Sequence, residues 1–234
     1  MFDFHLGDGL TVPSTAVSSP FVVLGKAGQG KTVFLMQLAL ELIKNNQIGL
    51  LYDPYGDLAK DIEERLTTEE AKASVSLFTQ EDFLALKKPT GAFLIVKGNT
   101  IEDGARATRE VANKVIKKAY ELLDEKDWLI VDQASDIIDE DLFNKYIGKP
   151  SSGPQTILCD ETLINYSRKQ RDELFEKVEQ WVFYKVRNLD GKLLEEHFAS
   201  PTAKDIAAMQ QYHFYFIDNG KAQYAKGVWP VEKI

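Results

Sequence analysis

The sequence is poor in the residues that build cross-links, metal cages and membrane anchors. Cys159 is the single cysteine among 234 residues, so no disulfide can form within the chain. The histidines at 5, 197 and 213 have no partner cysteines at ligand spacing, which argues against a zinc site. No run of about 18 apolar residues occurs, and the N-terminus lacks a basic stretch followed by an apolar one. We therefore expect a soluble, cytoplasmic protein.

Acidic residues outnumber basic ones. The chain has 36 acidic and 28 basic residues and a formal net charge of −8, so it does not coat nucleic acid by bulk attraction. A local basic loop could still contact a phosphate backbone. Apolar residues make up 44% of the chain, enough for the core of one substantial domain. We expect a single domain over 1–234, with a hairpin or arm at 1–20 and a hairpin at 210–234.

Short apolar segments alternate with longer segments of helical periodicity. This alternation predicts an α/β fold in which helices flank a mostly parallel central sheet. The last two strands read as a β-hairpin around Asn219-Gly220. The predicted strands are 21–25, 48–53, 75–79, 92–97, 128–132, 155–159, 181–186, 212–217 and 222–228, and the predicted helices are 32–44, 57–66, 80–87, 102–124, 138–146, 162–179 and 191–197.

Residues 25–32, GKAGQGKT, have the composition of a phosphate-binding loop between a strand and a helix. Glycines permit close approach, so that successive amides can face phosphate oxygens. In such a loop Lys31 reaches the β- and γ-phosphates, and the Thr32 hydroxyl binds magnesium. A glycine-rich turn that binds nothing is the alternative. The residues predicted to bind ATP with Mg²⁺ are Gly25, Lys26, Ala27, Gly28, Gln29, Gly30, Lys31, Thr32 and Val33.

A second magnesium ligand is predicted at the end of the strand 128–132. Four apolar residues precede Asp132 there. A magnesium ion in this type of site needs an acidic residue at the end of a neighbouring buried strand. Asp132 is therefore the candidate ligand, directly or through water. Alternatively, it caps the next helix, a position that aspartate favours.

The residue after Asp132 bears on hydrolysis. Many hydrolysing proteins with this type of site have a glutamate there, which polarises the attacking water, but this chain has Gln133. A neutral amide orients water and cannot accept its proton. The strand 155–159 should lie beside 128–132, and Glu161 follows it closely. Glu161 is therefore a candidate base.

Three motifs resemble the HerA/FtsK group of ring-forming DNA-pumping ATPases, in particular conjugative coupling proteins and viral genome-packaging ATPases. Residues 7–13 (GDGLTVP) look like the hairpin that precedes the phosphate loop in that group, and 25–32 resembles the loop itself. Residues 50–58 (LLYDPYGDL) are similar to its second-strand signature, although Asp-Pro-Tyr-Gly is also an ordinary turn sequence. The resemblance covers most of the chain. It implies a RecA-like P-loop NTPase fold, ATP hydrolysis, and a homo-oligomeric, hexameric ring that moves DNA.

Two positions depart from the pattern of this group. The group typically has Asp-Glu where this chain has Asp132-Gln133, and a glutamine near the end of the next strand, where this chain has Glu161. Our hypothesis is that Gln133 and Glu161 have exchanged roles around one water molecule.

A ring also implies a cation that completes the site of a neighbouring subunit and stabilises the charge that develops during phosphoryl transfer. Arg187 follows the strand 181–186 and matches the place where the group carries basic residues important to this step. Lys185 is the second choice. A solvated arginine at a strand end is the alternative.

Compact basic groups are the candidates for contact with DNA, single- or double-stranded. A solvated helix face is the simpler explanation of each. The groups are Arg168-Lys169-Gln170-Arg171, Lys145 with Lys149, and the stripe Arg106, Arg109, Lys114, Lys117 and Lys118.

Coupling proteins usually carry N-terminal membrane helices and an inserted helical domain, and this sequence has neither. It therefore resembles the viral packaging ATPases at least as much, and no direct membrane insertion is expected. A recruiting partner would sit at a membrane pore or a viral capsid, and a viral protein would work in the host cytoplasm. A domain cut from a larger membrane protein also fits.

Two other functions remain open. The first is a monomeric nucleotide-dependent kinase for a small acceptor, which needs several arginines near the phosphates. Arg168 and Arg171 form the only such cluster in the sequence. The second is a module that binds ATP as a switch without hydrolysing it. The neutral side chain of Gln133 favours this function.

Overall fold

In the computed structural model, one large sheet carries helices on both faces. The structure describes residues 2–17, 19–88, 92–98, 105–147, 153–228 and 231–234, with side chains from 109 onward in the helix that begins at 105. The strands are β1 (Asp3–Gly7), β2 (Leu10–Pro13), β3 (Phe21–Leu24), β4 (Gly49–Asp53), β5 (Val75–Thr79), β6 (Phe93–Lys97), β7 (Trp128–Asp132), β8 (Gln155–Asp160), β9 (Gln180–Phe183), β10 (His213–Asp218) and β11 (Lys221–Lys226).

Side-chain caps begin several of the helices. Ser167 and Gln170 form a reciprocal capping box at the start of the helix Arg168–Lys177, and Thr202 and Asp205 form another at the helix Ala203–Ala208. None of the described helices combines the length and the apolar character that crossing a bilayer requires. The helices are α1 (Lys31–Lys44), α2 (Asp57–Glu63), α3 (Glu69–Ala73), α4 (Gln80–Ala85), α5 (Ala105–Leu122), α6 (Ala134–Ile137), α7 (Glu140–Leu142), α8 (Arg168–Lys177), α9 (Asn188–His197) and α10 (Ala203–Ala208), with a 3-10 turn at Ser14–Ala16 and a π-helical turn at Phe143–Ile147.

The large sheet is parallel except for its last hairpin. Its strand order is β11-β10-β9-β3-β8-β7-β4-β6-β5. Neighbouring strands from β9 to β5 pair in parallel, whereas β10 pairs antiparallel to both β9 and β11. The central strands β3, β4 and β7 are buried along their whole length, as their uninterrupted apolar sequences require in a sheet covered on both faces.

Alternate residues of the central strands supply two cores, one on each face of the sheet. Val22 and Leu24 of β3 pack on the face covered by α4, α5 and α8 to α10. Phe21 and Val23 pack on the opposite face, against α1, α2 and the β1–β2 hairpin. Helix α5 buries Ala112, Val115, Ile116 and Ala119, so its other face is the charged one.

The predicted α/β class and the mostly parallel sheet are confirmed, and so is the hairpin at the C-terminal end of the sheet. Asn219 and Gly220 both have positive φ, at 47° and 76°, as a two-residue hairpin turn needs. The predicted pairing of 128–132 with 155–159 is also confirmed, because β7 lies directly beside β8.

The predicted helix 138–146 is present but begins two residues later, at Glu140, and its second part is π-helical. Ile138 is extended and buried, and it ends α6. The Asp139 carboxylate then accepts a hydrogen bond from the Leu142 amide and starts the new helix α7, which passes into the π-helical turn. The predicted helix 162–179 begins only at α8, because Thr162 and Leu163 instead bind the Asp190 carboxylate. The short helices α3, α6 and α10 were not predicted.

Candidate nucleotide-binding site

The loop 25–32 lies where β3 ends and α1 begins, at the edge of the sheet where the parallel strands have their carboxyl ends. This edge is where open α/β sheets bind ligands. The Gly25 amide donates to the Asp160 carbonyl at 3.1 Å, and the Lys26 amide donates to the Lys185 carbonyl at 2.9 Å. Backbone from both neighbouring strands therefore holds the entrance of the loop.

At two positions in the loop, the neighbouring side chains leave room only for glycine. A β-carbon on Gly25 would stand 2.5 Å from Cβ of Tyr184, closer than any packed side chain allows. Gly30 has φ of 120°, and a β-carbon there would lie 3.0 Å from Cδ1 of Tyr212. Only glycine fits both conditions at residue 30, which is the last residue before α1.

The loop offers a row of backbone donors. Within the described part of the chain, the amides of residues 27–32 make no hydrogen bond. The first intrahelical bond of α1 runs from the Phe34 amide to the Gly30 carbonyl at 3.0 Å, so the free amides precede it. Free amides at the positive end of a 14-residue helix form a cradle for anionic oxygens.

Lys31 and Thr32 occupy the end of this cradle. Lys31 is buried, at 6% exposure, and its ammonium donates to the Lys26 carbonyl at 3.1 Å across the loop. An ammonium group has three N–H donors, so others are left for a ligand. Thr32 is exposed, and among the described residues its hydroxyl makes no hydrogen bond. Val33 is half-buried and packs against the core on the α1 side of the sheet.

Asp132 lies close to Lys31 at the same edge, with β8 between their strands. Its carboxylate is 9% exposed and accepts hydrogen bonds from the Gln133 amide at 3.1 Å and from the Cys159 thiol. Burial raises the pKa of Asp132 to about 6, and the Asp53 carboxylate adds to the rise. The Cys159 hydrogen bond and the Lys31 ammonium lower it. The structure thus brings together Lys31 and Asp132, the lysine and the carboxylate that the predicted site needs.

Asp53 serves the turn that follows its strand. The residue is 1% exposed, and its carboxylate accepts from the Tyr55 amide at 3.1 Å and the Ala59 amide at 2.8 Å. The Asp-Pro-Tyr-Gly segment therefore folds back over the edge of the sheet and begins α2 at Asp57. Tyr55, 42% exposed, is presented toward the site.

An open cleft of about 480 Å³ lies next to Asp132. The backbone of Gln133 is left-handed, with φ of 53° and ψ of 45°, an uncommon conformation for a residue with a side chain. Nη2 of Arg187 lies 3.9 Å from Oε2 of Glu161. The cleft thus contains Gln133, Glu161 and Arg187, the first choices for managing the water and the developing charge, whereas Lys185, the second choice for the cation, does not line it. Its lining includes Tyr55, Gln133, Asp136, Glu161, Asn165 and Arg187.

The protein oxygens fit magnesium bound together with a nucleotide. Among the described residues, no group of three histidine, cysteine, aspartate or glutamate side chains could hold a metal ion by itself. Magnesium prefers one or two carboxylates, waters and substrate phosphates to an all-protein cage. The Thr32 hydroxyl and the Asp132 carboxylate supply such a partial set.

Several residues around the site were not predicted. Asp160 is fully buried beneath the cleft, where it accepts from the Tyr166 hydroxyl at 2.6 Å and the Ser135 amide at 2.7 Å. Its place directly after an apolar strand is the only sequence signal. Gln211 and Tyr212 bind carbonyls of the phosphate loop, and nothing local in the sequence indicates this.

The basic groups proposed for DNA contact have varied surroundings. Arg171 donates to the Tyr166 carbonyl at 2.7 Å, Arg109 donates to the Ser135 carbonyl at 3.2 Å, and Lys145 lies over the Tyr146 ring. Lys149 and the side chain of Arg106 lie outside the described residues. Arg168 is highly exposed beside Asp172.

No protein-family model and no curated protein matches the chain. Solved structures do match it. The genome packaging NTPase B204 of Sulfolobus turreted icosahedral virus 2, in complex with ATP-gammaS, is 12% identical with a TM-score of 0.59, and the match covers 89% of this chain and 96% of that one. The bacterial conjugative coupling protein TrwBdeltaN70 is 13% identical with a TM-score of 0.65, covering 98% and 89%.

VirB4 of Thermoanaerobacter pseudethanolicus is 10% identical with a TM-score of 0.72, covering 97% of this chain and 96% of that one. Identities this low establish similarity of fold. The chain therefore has the fold of the HerA/FtsK-type P-loop ATPases, as the sequence motifs predicted.

Proposed function

We propose that the chain binds and hydrolyses ATP with Mg²⁺ in the loop 25–32, and that copies of it assemble into a ring, a hexamer, that moves DNA. The observation that carries the proposal is that three features lie at one edge of the sheet. A row of free amides, the buried pair Lys31 and Asp132, and a polar cleft meet there.

Each part of this edge has a task. The amides of 27–32 would donate hydrogen bonds to phosphate oxygens, and Lys31 offsets the negative charge of these oxygens. Thr32 and Asp132 would hold the metal. When bound, Mg²⁺ neutralises charge on the phosphate oxygens.

The cleft residues would handle the attacking water. Gln133 orients it through its amide. As the water oxygen bonds to the γ-phosphorus, the bond from that phosphorus to the bridging oxygen breaks and ADP leaves with this oxygen, while the Glu161 carboxylate takes the proton that the water loses. Arg187 stabilises the negative charge that develops. The positions of these side chains in one cleft support the exchange of roles between Gln133 and Glu161.

Support for DNA as the cargo comes from the fold. The solved proteins that the chain resembles are a viral genome packaging NTPase and a bacterial conjugative coupling protein. The genome as cargo is carried over to this chain as part of the proposal. The ring, which the sequence motifs imply by resemblance, a recruiting partner and a cytoplasmic site of action are further parts of it.

A non-hydrolysing ATP switch is the second candidate, because Gln133 stands where a carboxylate would favour turnover. A kinase has less support. Among the described residues that line the cleft, Arg187 is the only arginine.

The test compares the unaltered chain with Lys31→Ala, Asp132→Asn and the control Lys44→Ala, which removes an exposed lysine from the same helix. We expect Lys31→Ala to weaken ATP binding about tenfold or more, since a charge-assisted hydrogen bond is lost. Asp132→Asn should lose the magnesium dependence of binding. Lys44→Ala should change neither.

Phosphate release is then measured with and without single- and double-stranded DNA, and the mass of the assembly is measured with ATP. Turnover that DNA stimulates, in a hexamer, supports the motor. Binding without turnover supports the switch, and a monomer that turns over ATP without responding to DNA contradicts the ring.

A further inference from the structure

Two donors from a distant segment hold the outer side of the phosphate loop. Nε2 of Gln211 donates to the Gly28 carbonyl at 2.7 Å, and the Tyr212 amide donates to the Gln29 carbonyl at 3.0 Å. These residues stand just before β10, 183 positions along the chain from their partners.

Binding these carbonyls also orients the amides of the loop. A peptide group is planar and trans, so its C=O and N–H point in opposite directions. The Gly28 carbonyl shares a peptide with the Gln29 amide, and the Gln29 carbonyl shares one with the Gly30 amide. Because both carbonyls face residues 211 and 212, both amides face away from them. These two amides belong to the free row described above.

The Gly28–Gln29 peptide has little else to fix it. Gly28 has φ of 72°, and a β-carbon on it would meet no atom within 4 Å. Glycine in open space moves between backbone conformations at low cost. In the described structure, the Gln211 side chain is the contact that holds the Gly28 carbonyl outward.

The segment that supplies the donors is itself anchored. The Tyr212 carbonyl accepts from the Gly227 amide at 2.7 Å, and Tyr212 is left-handed with φ of 63°. Its ring lies against Gly30. Gln211, in contrast, is exposed and adds nothing to the core.

We propose that Gln211 is a positioning residue for phosphate binding: its amide donor keeps the Gly28–Gln29 peptide turned so that the Gln29 amide faces the bound phosphates. The inference rests on the proposed nucleotide site and deepens it. It gives the segment before β10, which lies outside the loop motif, a role in the nucleotide site.

Gln210 offers a matched control. It is the same residue type one position earlier, it is exposed, and within the described chain its side chain makes no hydrogen bond. Gln211→Glu keeps the shape of the side chain, but a carboxylate oxygen replaces the donor and faces the Gly28 carbonyl oxygen. Gln210→Glu adds the same charge beside it. Gln211→Ala and Gln210→Ala form a second pair without charge.

The probes are ATPγS and inorganic tripolyphosphate, measured by titration calorimetry with Mg²⁺, and thermal unfolding is measured on every variant. We expect Gln211→Glu to bind both probes about tenfold more weakly than Gln210→Glu, and Gln211→Ala about threefold more weakly than Gln210→Ala. The losses should be equal for the two probes, because the loop contacts only phosphate. The unfolding midpoints of each pair should agree.

Equal affinities within both pairs, in a chain that binds ATPγS and loses this binding on Lys31→Ala, would overturn the inference alone. An affinity loss accompanied by an equal loss of thermal stability would also overturn it, since that is the result of a structural role. If the unaltered chain binds neither probe, the proposed function fails and the inference fails with it.

Discussion

Nη2 of Arg187 lies 3.9 Å from Oε2 of Glu161 in the same chain, and both side chains line one cleft with Gln133. Glu161 has 32% of its side chain exposed and Arg187 has 57%, so solvent weakens the attraction between them. The pair therefore adds little to stability, and its location suits chemistry in the cleft.

Glu161→Gln should lower kcat for ATP about 100-fold or more, because the group that accepts the proton of the attacking water is removed. ATP binding should be unchanged, since phosphate is held by the loop 25–32. Steady-state phosphate release and calorimetry measure the two effects.

The double variant Glu161→Gln with Gln133→Glu restores the order that the HerA/FtsK group carries, and it should recover part of the lost turnover. Glu176→Gln, an exposed position on α8, is the control and should behave like the unaltered chain. Full activity of Glu161→Gln alone would sink the exchange of roles.

Arg187→Ala should lower kcat about 100-fold, with ATP binding retained, because a cation that stabilises developing charge is lost. The resemblance to ring-forming ATPases implies action on a neighbouring subunit. The contact with Glu161 of its own chain instead supports action in its own site.

Mixing Arg187→Ala subunits with Lys31→Ala subunits separates the two cases. We expect the mixture to stay inactive, because neither subunit has a complete site. Activity above that of either variant alone would show that Arg187 acts across the interface.

Gly98→Ala should lower the free energy of unfolding by about 3 kcal/mol, measured by urea denaturation. A β-carbon on Gly98 would lie 2.0 Å from the Pro54 carbonyl oxygen, so the turn after β4 would have to move. The Gly98 amide also donates to the Asp53 carbonyl at 2.8 Å, which ties the same turn to the strand.

Gly191→Ala is the matched control, and it should raise the free energy of unfolding. Gly191 lies within α9, and its β-carbon would meet Cβ of Ala203 at an ordinary 3.5 Å. Alanine restricts the unfolded chain and favours a helix, so we expect a gain of about 0.5 to 1 kcal/mol. Equal effects of the two substitutions would contradict the steric argument.

The stability of the protein should fall as the pH rises from about 4 to about 7. Burial raises the pKa of Asp160 from 3.8 to about 7, although the Tyr166 and Ser135 hydrogen bonds act against the rise. The folded state therefore holds a proton that the unfolded state has lost in this range. The stabilisation by this proton is complete below the pKa of Asp160 in the unfolded chain. It is lost as the pH rises through the pKa of Asp160 in the folded protein.

Asp160→Asn stays uncharged at every pH, so urea denaturation between pH 5 and pH 8 should show a shallower fall in the free energy of unfolding. Part of the slope should remain, because the pKa of Asp132 is also raised by burial. An unchanged slope in Asp160→Asn would show that Asp160 titrates normally in the folded protein.

The parts of the site that could be predicted are local in sequence. The loop 25–32 has its strand and helix directly beside it, and Asp132 ends an uninterrupted apolar strand. In parallel sheets both features lie at the same edge, so the sequence was sufficient to place them near each other.

The parts that could not be predicted depend on contacts between distant segments. Gln211 reaches Gly28 from the far end of the chain, and nothing in the sequence around Gln211 indicates this contact. The start of the helix predicted over 138–146 was two residues too early for a different reason. Ile138 fits the apolar spacing of the helix, but Asp139 is the residue that caps it, so the helix begins at Glu140.

Cys159 is a natural probe of opening at the centre of the sheet, and no substitution is needed to introduce it. It is the only sulfhydryl of the chain, it is fully enclosed, and it lies on the strand between the phosphate loop and Asp132. A thiol reagent can reach it only when these strands separate. Its rate of alkylation therefore reports how often the middle of the molecule opens, and slower labelling in the presence of a ligand would record tightening there.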